Sequence, residues 1–271
     1  MAIRTIFSMA EDCARGERQG WMEFVRDFSG IARSLLAHYF PALIPGMDEH
    51  VVAVFLRAAA KTPQGVWIAT LKFSNEREFM MAFRDLVFAY GREQDLRAGA
   101  ETGISLDQVR SVMTDLSLLE RQLLWLVIKG YDAPRIAVIM MNAVATAEAV
   151  QHIAGERLAP LLPGASPEAS RKSARMLMEL AEQSKTDQCL ALKTFNNLVN
   201  GQISWREREL AEEHMGKCLY CIDRFTTFQE MIRLRKDEPA LATPQVEAIL
   251  AQLPCRASRP RGVLARLFAS R

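Results

Sequence analysis

Apolar residues recur at spacings of three and four along most of this chain, and that rhythm is the tightest constraint on what it can fold into. A helix turns once in 3.6 residues, so such positions share one face, whereas a half-buried strand alternates residue by residue. Trp21, Phe24, Val25, Phe28, Ile31, Ala32, Leu35 and Leu36 make one wide stripe, stopped by Pro41 and the Pro45-Gly46 pair. Further helices are expected over about 48–61 and 75–90, with Pro63-Gln64-Gly65 as the turn between them. Others are expected over about 106–113, 118–129, 133–141, 145–158, 170–199 and 205–234. Alternating β-branched runs are nearly absent, so the expected fold class is all-α.

Single cores stop growing efficiently near ~250 residues, so a chain of 271 residues is expected to hold several domains. Gly99 to Gly103 and the Pro160, Pro163, Gly164, Pro167 cluster mark breaks. They divide the chain into helical modules 1–97, 98–165 and 166–236, followed by a basic tail, 237–271. The formal charge of +2 is near balance, and 49% hydrophobic with 24% charged residues is ordinary globular usage, against a disordered or collagen-like chain. The longest apolar run, Leu123 to Ile128, is far below the ~20 residues a bilayer span needs. Met1 to Cys13 has no apolar stretch of the secretory kind, so a cytoplasmic protein is expected. Five cysteines are too few for a disulfide scaffold; clustered in a reducing compartment, they point to metal or redox chemistry.

Three of them belong to the pattern Cys189-x24-His214-x3-Cys218-x2-Cys221. Four thiol and imidazole donors is the number that closes a structural zinc tetrahedron. His214 and Cys218 are four apart and would share a helix face, Cys221 would reach the same ion after the helix ends, and Cys189 would come from a neighbouring helix. Zn²⁺ is therefore the expected cofactor, pinning helices with little core of their own; the alternative is reduced buried cysteines beside a satisfied histidine. Ser204, with Glu207 three residues on, supplies a capping box for the helix that carries His214. No Ser-His-Asp order, phosphate loop or dinucleotide fingerprint occurs, so no enzyme is expected.

Gly16-Glu17-Arg18-Gln19-Gly20-Trp21-Met22-Glu23-Phe24, with Asp48 to Ala58 after the first long helix, resembles region two of extracytoplasmic-function sigma factors. Glu76 to Phe79 with Phe83 to Leu86 is similar to the helix that reads the −10 promoter element in that family, and Asp115 to Leu124 through Gly155 to Leu158 resembles the region-four helix-turn-helix. The segment 166–236 is similar to zinc-binding anti-sigma domains. The resemblance implies a sigma-like transcription regulator with RNA polymerase core and promoter DNA as partners and a fused zinc domain. Asp48, Glu49, Phe55 and Arg57 would then face the polymerase clamp. Lys61, Trp67, Lys72, Arg77, Arg84 and Arg92 would form a basic, aromatic surface for an unpaired promoter base, although Trp67 also reads as a core aromatic. Thr146, Gln151, His152 and Arg157 would lie on the recognition helix.

The sequence departs from the family there. Val144 to Leu158 is nearly stripped of cations, and Met141-Asn142 stands where the family favours Gly, with Asn142 expected to adopt the positive φ of the turn. These departures favour an alternative, a sigma mimic that binds a protein partner, such as an anti-sigma or another sigma factor, and has lost DNA reading. The tail, with Arg256, Arg259, Arg261, Arg266 and Arg271 around Val263, Leu264, Leu267 and Phe268, suits partner docking or a disordered end better than membrane binding. Cys255 is not expected to join the metal set.

Overall fold

The computed structural model describes residues 5–63, 65–95, 105–141, 148–150, 152, 157 and 167–255. These are helical almost throughout, as the periodicity requires; the strand content described is a two-residue hairpin, β1 (Lys61–Thr62) against β2 (Gly65–Val66). Two compact units result. Of the described residues, one gathers those up to Leu36, those of Leu43–Gly91 and those from Glu238 to Cys255; the other holds those of Ala37–Ala42 and Arg92–Asp237.

The first unit contains α1 (Ile6–Ala14), most of α2 (Arg18–Tyr39), α3 (Met47–Ala59), α4 (Trp67–Thr70) and most of α5 (Glu76–Asp95). Its core is aromatic. The Phe24 ring lies 5.1–5.7 Å from those of Phe28, Phe55, Phe79 and Phe83, mostly edge-on, the arrangement that ring quadrupoles favour. Gly20 lets α1 approach α2: a Cβ there would stand 2.5 Å from Asp12 Cβ and 2.7 Å from the Cys13 nitrogen.

The second unit contains α6 (Leu106–Met113), α7 (Leu118–Ile128), α8 (Ala133–Ile139), α9 (Pro167–Gln183), α10 (Leu192–Asn200), α11 (Trp205–Lys217) and α12 (Leu219–Asp237). Its centre is α7, which packs against α8, α9, α11 and α12. Leu123, Leu124, Trp125, Leu126 and Ile128 are all buried, so α7 has almost no polar side and must be covered on several faces at once. This corrects the expected boundary: the modules drawn at 98–165 and 166–236 fold together because α12 and α9 supply the cover that α7 needs.

Three further expectations change. The helix expected over 170–199 is broken between α9 and α10, and the helix expected over 205–234 is broken at Cys218, whose φ −113° and ψ 106° are extended. Both breaks fall at candidate metal donors. The expected tail from 237 contains a helix, α13 (Thr243–Leu250), which belongs to the first unit, while residues 256–271 lie outside the described residues. At the turn after α8, Met141 takes the positive φ, 54°. Asn142, and with it most of the helix expected over 145–158, lies outside the described residues, of which 148–150 are helical.

Candidate metal centre

Each donor is positioned by local chain chemistry. The box formed by Ser204 and Glu207 starts α11: Ser204 Oγ accepts from the Glu207 N–H at 3.3 Å, and Glu207 Oε2 accepts from the Ser204 N–H at 3.0 Å. Ten residues on, His214 occupies the last turn, and α11 ends where Cys218 turns extended; Cys221 then sits in the first turn of α12. Cys189 comes from the turn between α9 and α10, where the Thr186 N–H donates to its sulfur at 3.3 Å. The ligand atoms of Cys189, His214, Cys218 and Cys221 all lie within 4.8 Å of one another, a set that could hold a metal ion. Cys189 Sγ and Cys218 Sγ are 3.7 Å apart, and His214 Nε2 stands 3.2 Å from Cys221 Sγ.

The electrostatics suit a cation. A hydrogen bond from Cys221 brings the Cys218 thiol down to about 5, and the same bond, with burial, pushes Cys221 up. The pair gives up one proton readily and resists losing the second, because a second thiolate would face the first. The Leu190 N–H also donates to Cys221 Sγ at 3.3 Å, so backbone groups point partial positive charge at the sulfurs. Glu207, which borders the same cleft as His214, is held as a cap with its carboxylate lowered by Ser204.

The cluster is tied into the unit through α7. Arg121 donates through Nη1 to the Gly216 carbonyl, two residues from both His214 and Cys218, and through Nε to Leu116 O at 2.8 Å. Below it, Trp125 donates to Asp223 Oδ1 at 2.9 Å. Lys129 is 0% exposed; its ammonium reaches Thr227 Oγ1 at 2.7 Å, Asp223 Oδ1 at 3.1 Å and Glu230 Oε2 at 3.8 Å. Glu230 accepts from Tyr131 at 2.6 Å and from Tyr39 at 3.0 Å, and beside that carboxylate burial pushes the Tyr131 phenol well up. Sequence reading passed over this network. Its signal was a lysine at the end of an otherwise apolar helix, opposite an Asp and a Glu seven apart on another.

The expected nucleic-acid and polymerase residues are not all at the surface. Trp67 is half-buried and packs on Phe24, Phe79 and Phe83 at the edge of the aromatic core. Arg84 is 6% exposed with its guanidinium 3.6 Å above Phe88, and Phe55 is fully buried in the same core; neither presents a contact surface, and both readings are corrected. Lys61, which sits in β1 and not at the end of α3, is exposed, as is Lys72; Arg77 and Arg57 are half-buried. Asp48 pairs with Arg33 and Glu49 is exposed. Arg92 pairs with Glu179 at 3.5 Å. His152 is exposed and Arg157 half-buried, and both contribute to lowering Glu120, behind the dominant hydrogen bonds from Ser117. Thr146 and Gln151 lie outside the described residues. Among the described residues no helix is long and apolar enough to cross a membrane.

Compared with protein-family models, curated proteins and solved structures, the chain matches none.

Proposed function

We propose that the chain is a zinc-stabilised regulator of sigma-like type that acts by binding protein, with the metal module a fixed scaffold for the helix pair α7–α8. The closed donor set carries this reading. For Zn–S bonds of about 2.3 Å a tetrahedron has S–S edges of about 3.8 Å, and Cys189 and Cys218 stand 3.7 Å apart. Three sulfurs and one imidazole fill four positions, the arrangement of a structural site; a catalytic site keeps one position open. Bound there, the ion would supply electrostatic closure of the α9–α10 turn and the α11–α12 junction. Arg121, Trp125 and Lys129 would hold that closed module on α7. An enzymatic role is not part of this reading: Glu207, the carboxylate that lines the cleft with His214, is committed to its cap.

Protein binding is favoured over DNA reading by the burial of Arg84, which removes one cation from the expected promoter surface, and by the packing of half-buried Trp67 on Phe24, Phe79 and Phe83. Promoter recognition with RNA polymerase core remains the second reading, supported by the exposed Lys61 and Lys72. Salt separates the two. DNA retention that falls steeply between 50 and 200 mM salt, together with promoter-dependent transcription when the chain is added to core polymerase, would establish the second reading. Association with core polymerase or a sigma factor in the absence of DNA retention is the result expected here, and absence of both would overturn the proposal.

A further inference from the structure

After Asp237 the chain returns to the first unit and lies along α2. Gly30 is the permissive position: a Cβ there would meet Glu238 Cβ at 3.1 Å and Pro239 O at 3.2 Å, tighter than side chains ordinarily pack. Glycine is disfavoured in a helix interior relative to alanine, and in the middle of α2 it permits this close approach. One turn either side, Ser34 Oγ donates to Glu238 Oε1 at 2.5 Å and the Leu241 N–H donates to Arg26 O at 3.0 Å. Positions 26, 30 and 34 thus form a straight docking stripe. The chain then enters α13, whose Val246, Ile249 and Leu250 are buried at i, i+3 and i+4, with Leu253 buried in the turn that follows, while Glu247 pairs with Arg18. That is how an amphipathic helix seats in a groove.

The groove is larger than its occupant. A cavity of about 380 Å³ remains between α3 and α13, bounded by Val52, Ala53 and Leu56 on one side and by Ala248 and Gln252 on the other, with Asp48 and Glu49 also lining it. Leu241, Gln245 and Ile249 line the same side, and the short Ala248 and polar Gln252 leave apolar volume unfilled between them and α3.

We propose that residues 238–253 are an autoinhibitory strap: they occupy in cis a docking face on α2 and α3 whose partner is an amphipathic helix with an acidic residue for Arg18 and larger apolar side chains at the positions of Ala248 and Gln252. This rests on the reading of the chain as a protein-binding regulator and names the surface it uses. A tethered occupant competes at an effective concentration of about 1 mM, so a free helix at micromolar concentration gains the face only when the strap is weakened.

The test uses the full-length, metal-containing chain and a labelled synthetic peptide of residues 238–255 carrying Ala248→Leu. The wild-type protein should bind it weakly. A full-length Ile249→Asp variant, weakened only in its strap, should bind at least tenfold more tightly, and adding Gly30→Leu to that variant should abolish binding. Glu247→Arg, a surface change, should give a smaller gain of about threefold. Equal affinity in wild type and the Ile249→Asp variant overturns the proposal, as does failure of that variant to bind while α2 retains its exchange protection. Hydrogen exchange on the wild-type protein supplies a readout without substitution: amides of 246–253 should exchange faster than those of Phe24 to Leu36, and exchange only with global unfolding overturns displaceability. Metal content measured on the same samples keeps a failure here distinct from a failure of the zinc scaffold.

Discussion

Replacing Lys129 with methionine should destabilise the second unit by about 3–5 kcal/mol, the cost of removing one member of a buried ion pair. The ammonium contacts Thr227 and Asp223 at 2.7 and 3.1 Å and stands 3.8 Å from Glu230, with no access to water. Methionine fills most of the volume of the lysine stem, so the loss is electrostatic, with little cavity contribution. It leaves two buried carboxylates: Asp223, which keeps the Trp125 N–H, and Glu230, which keeps the Tyr39 and Tyr131 hydroxyls. Adding Asp223→Asn to Lys129→Met should recover about 2–3 kcal/mol, since an amide oxygen still accepts from Trp125 and carries no charge. Because a chain of two units has no single unfolding free energy, the effect is best read locally, by urea-dependent hydrogen exchange on α7 and α12. With a slope of about 2 kcal/mol per molar urea, the single variant should shift the midpoint by about 2 M. A shift below about 0.5 M, or a double variant weaker than the single, would refute the view that Lys129 is held by its charge.

Gly20→Ala should destabilise the first unit by about 1–3 kcal/mol, measured as loss of exchange protection in α1 and α2, because the new methyl meets the Cys13 backbone at 2.7 Å. Trp67→Ala should cost about 2–4 kcal/mol in the same unit and leave any DNA retention unchanged; filter binding at low salt and thermal melting check the two halves. Ser117→Ala should cost about 1 kcal/mol at pH 7, as a lost helix cap. The Ser117 hydrogen bonds lower the Glu120 carboxylate below 4.5 in the folded state, so their stabilisation is present above that pH and lost as pH falls through the folded value. The stability gap between Ser117→Ala and wild type should therefore narrow below pH 4.5, in urea titrations at pH 7 and pH 3.5.

Much of this architecture could be read from spacing alone. The stripe from Trp21 to Leu36 is buried at every position named for it, because a single helix with one apolar face has one way to hide it. The four metal donors were found for a similar reason: their chemistry is rare and their register fits a helix end. What spacing could not give was cover. Leu123 to Ile128 is apolar on all sides, and sequence does not say which helices enclose such a segment, so α12 was assigned to a separate domain when it is the main partner of α7. The break at Cys189 carries no Pro or Gly to mark it, and the break at Cys218 has only Gly216, inside the helix, as a signal. Arg84 and Phe55 were placed outside because cationic and aromatic residues on an amphipathic helix give the same pattern whether they face solvent or core.

The most direct test is the metal itself. Protein purified without added metal should contain one zinc per chain by elemental analysis, and replacement with cobalt should give the thiolate charge-transfer and tetrahedral ligand-field bands of a three-sulfur, one-nitrogen site, lost in Cys218→Ser. Protein that folds with full exchange protection in α11 and α12 while holding no stoichiometric divalent ion would contradict the account.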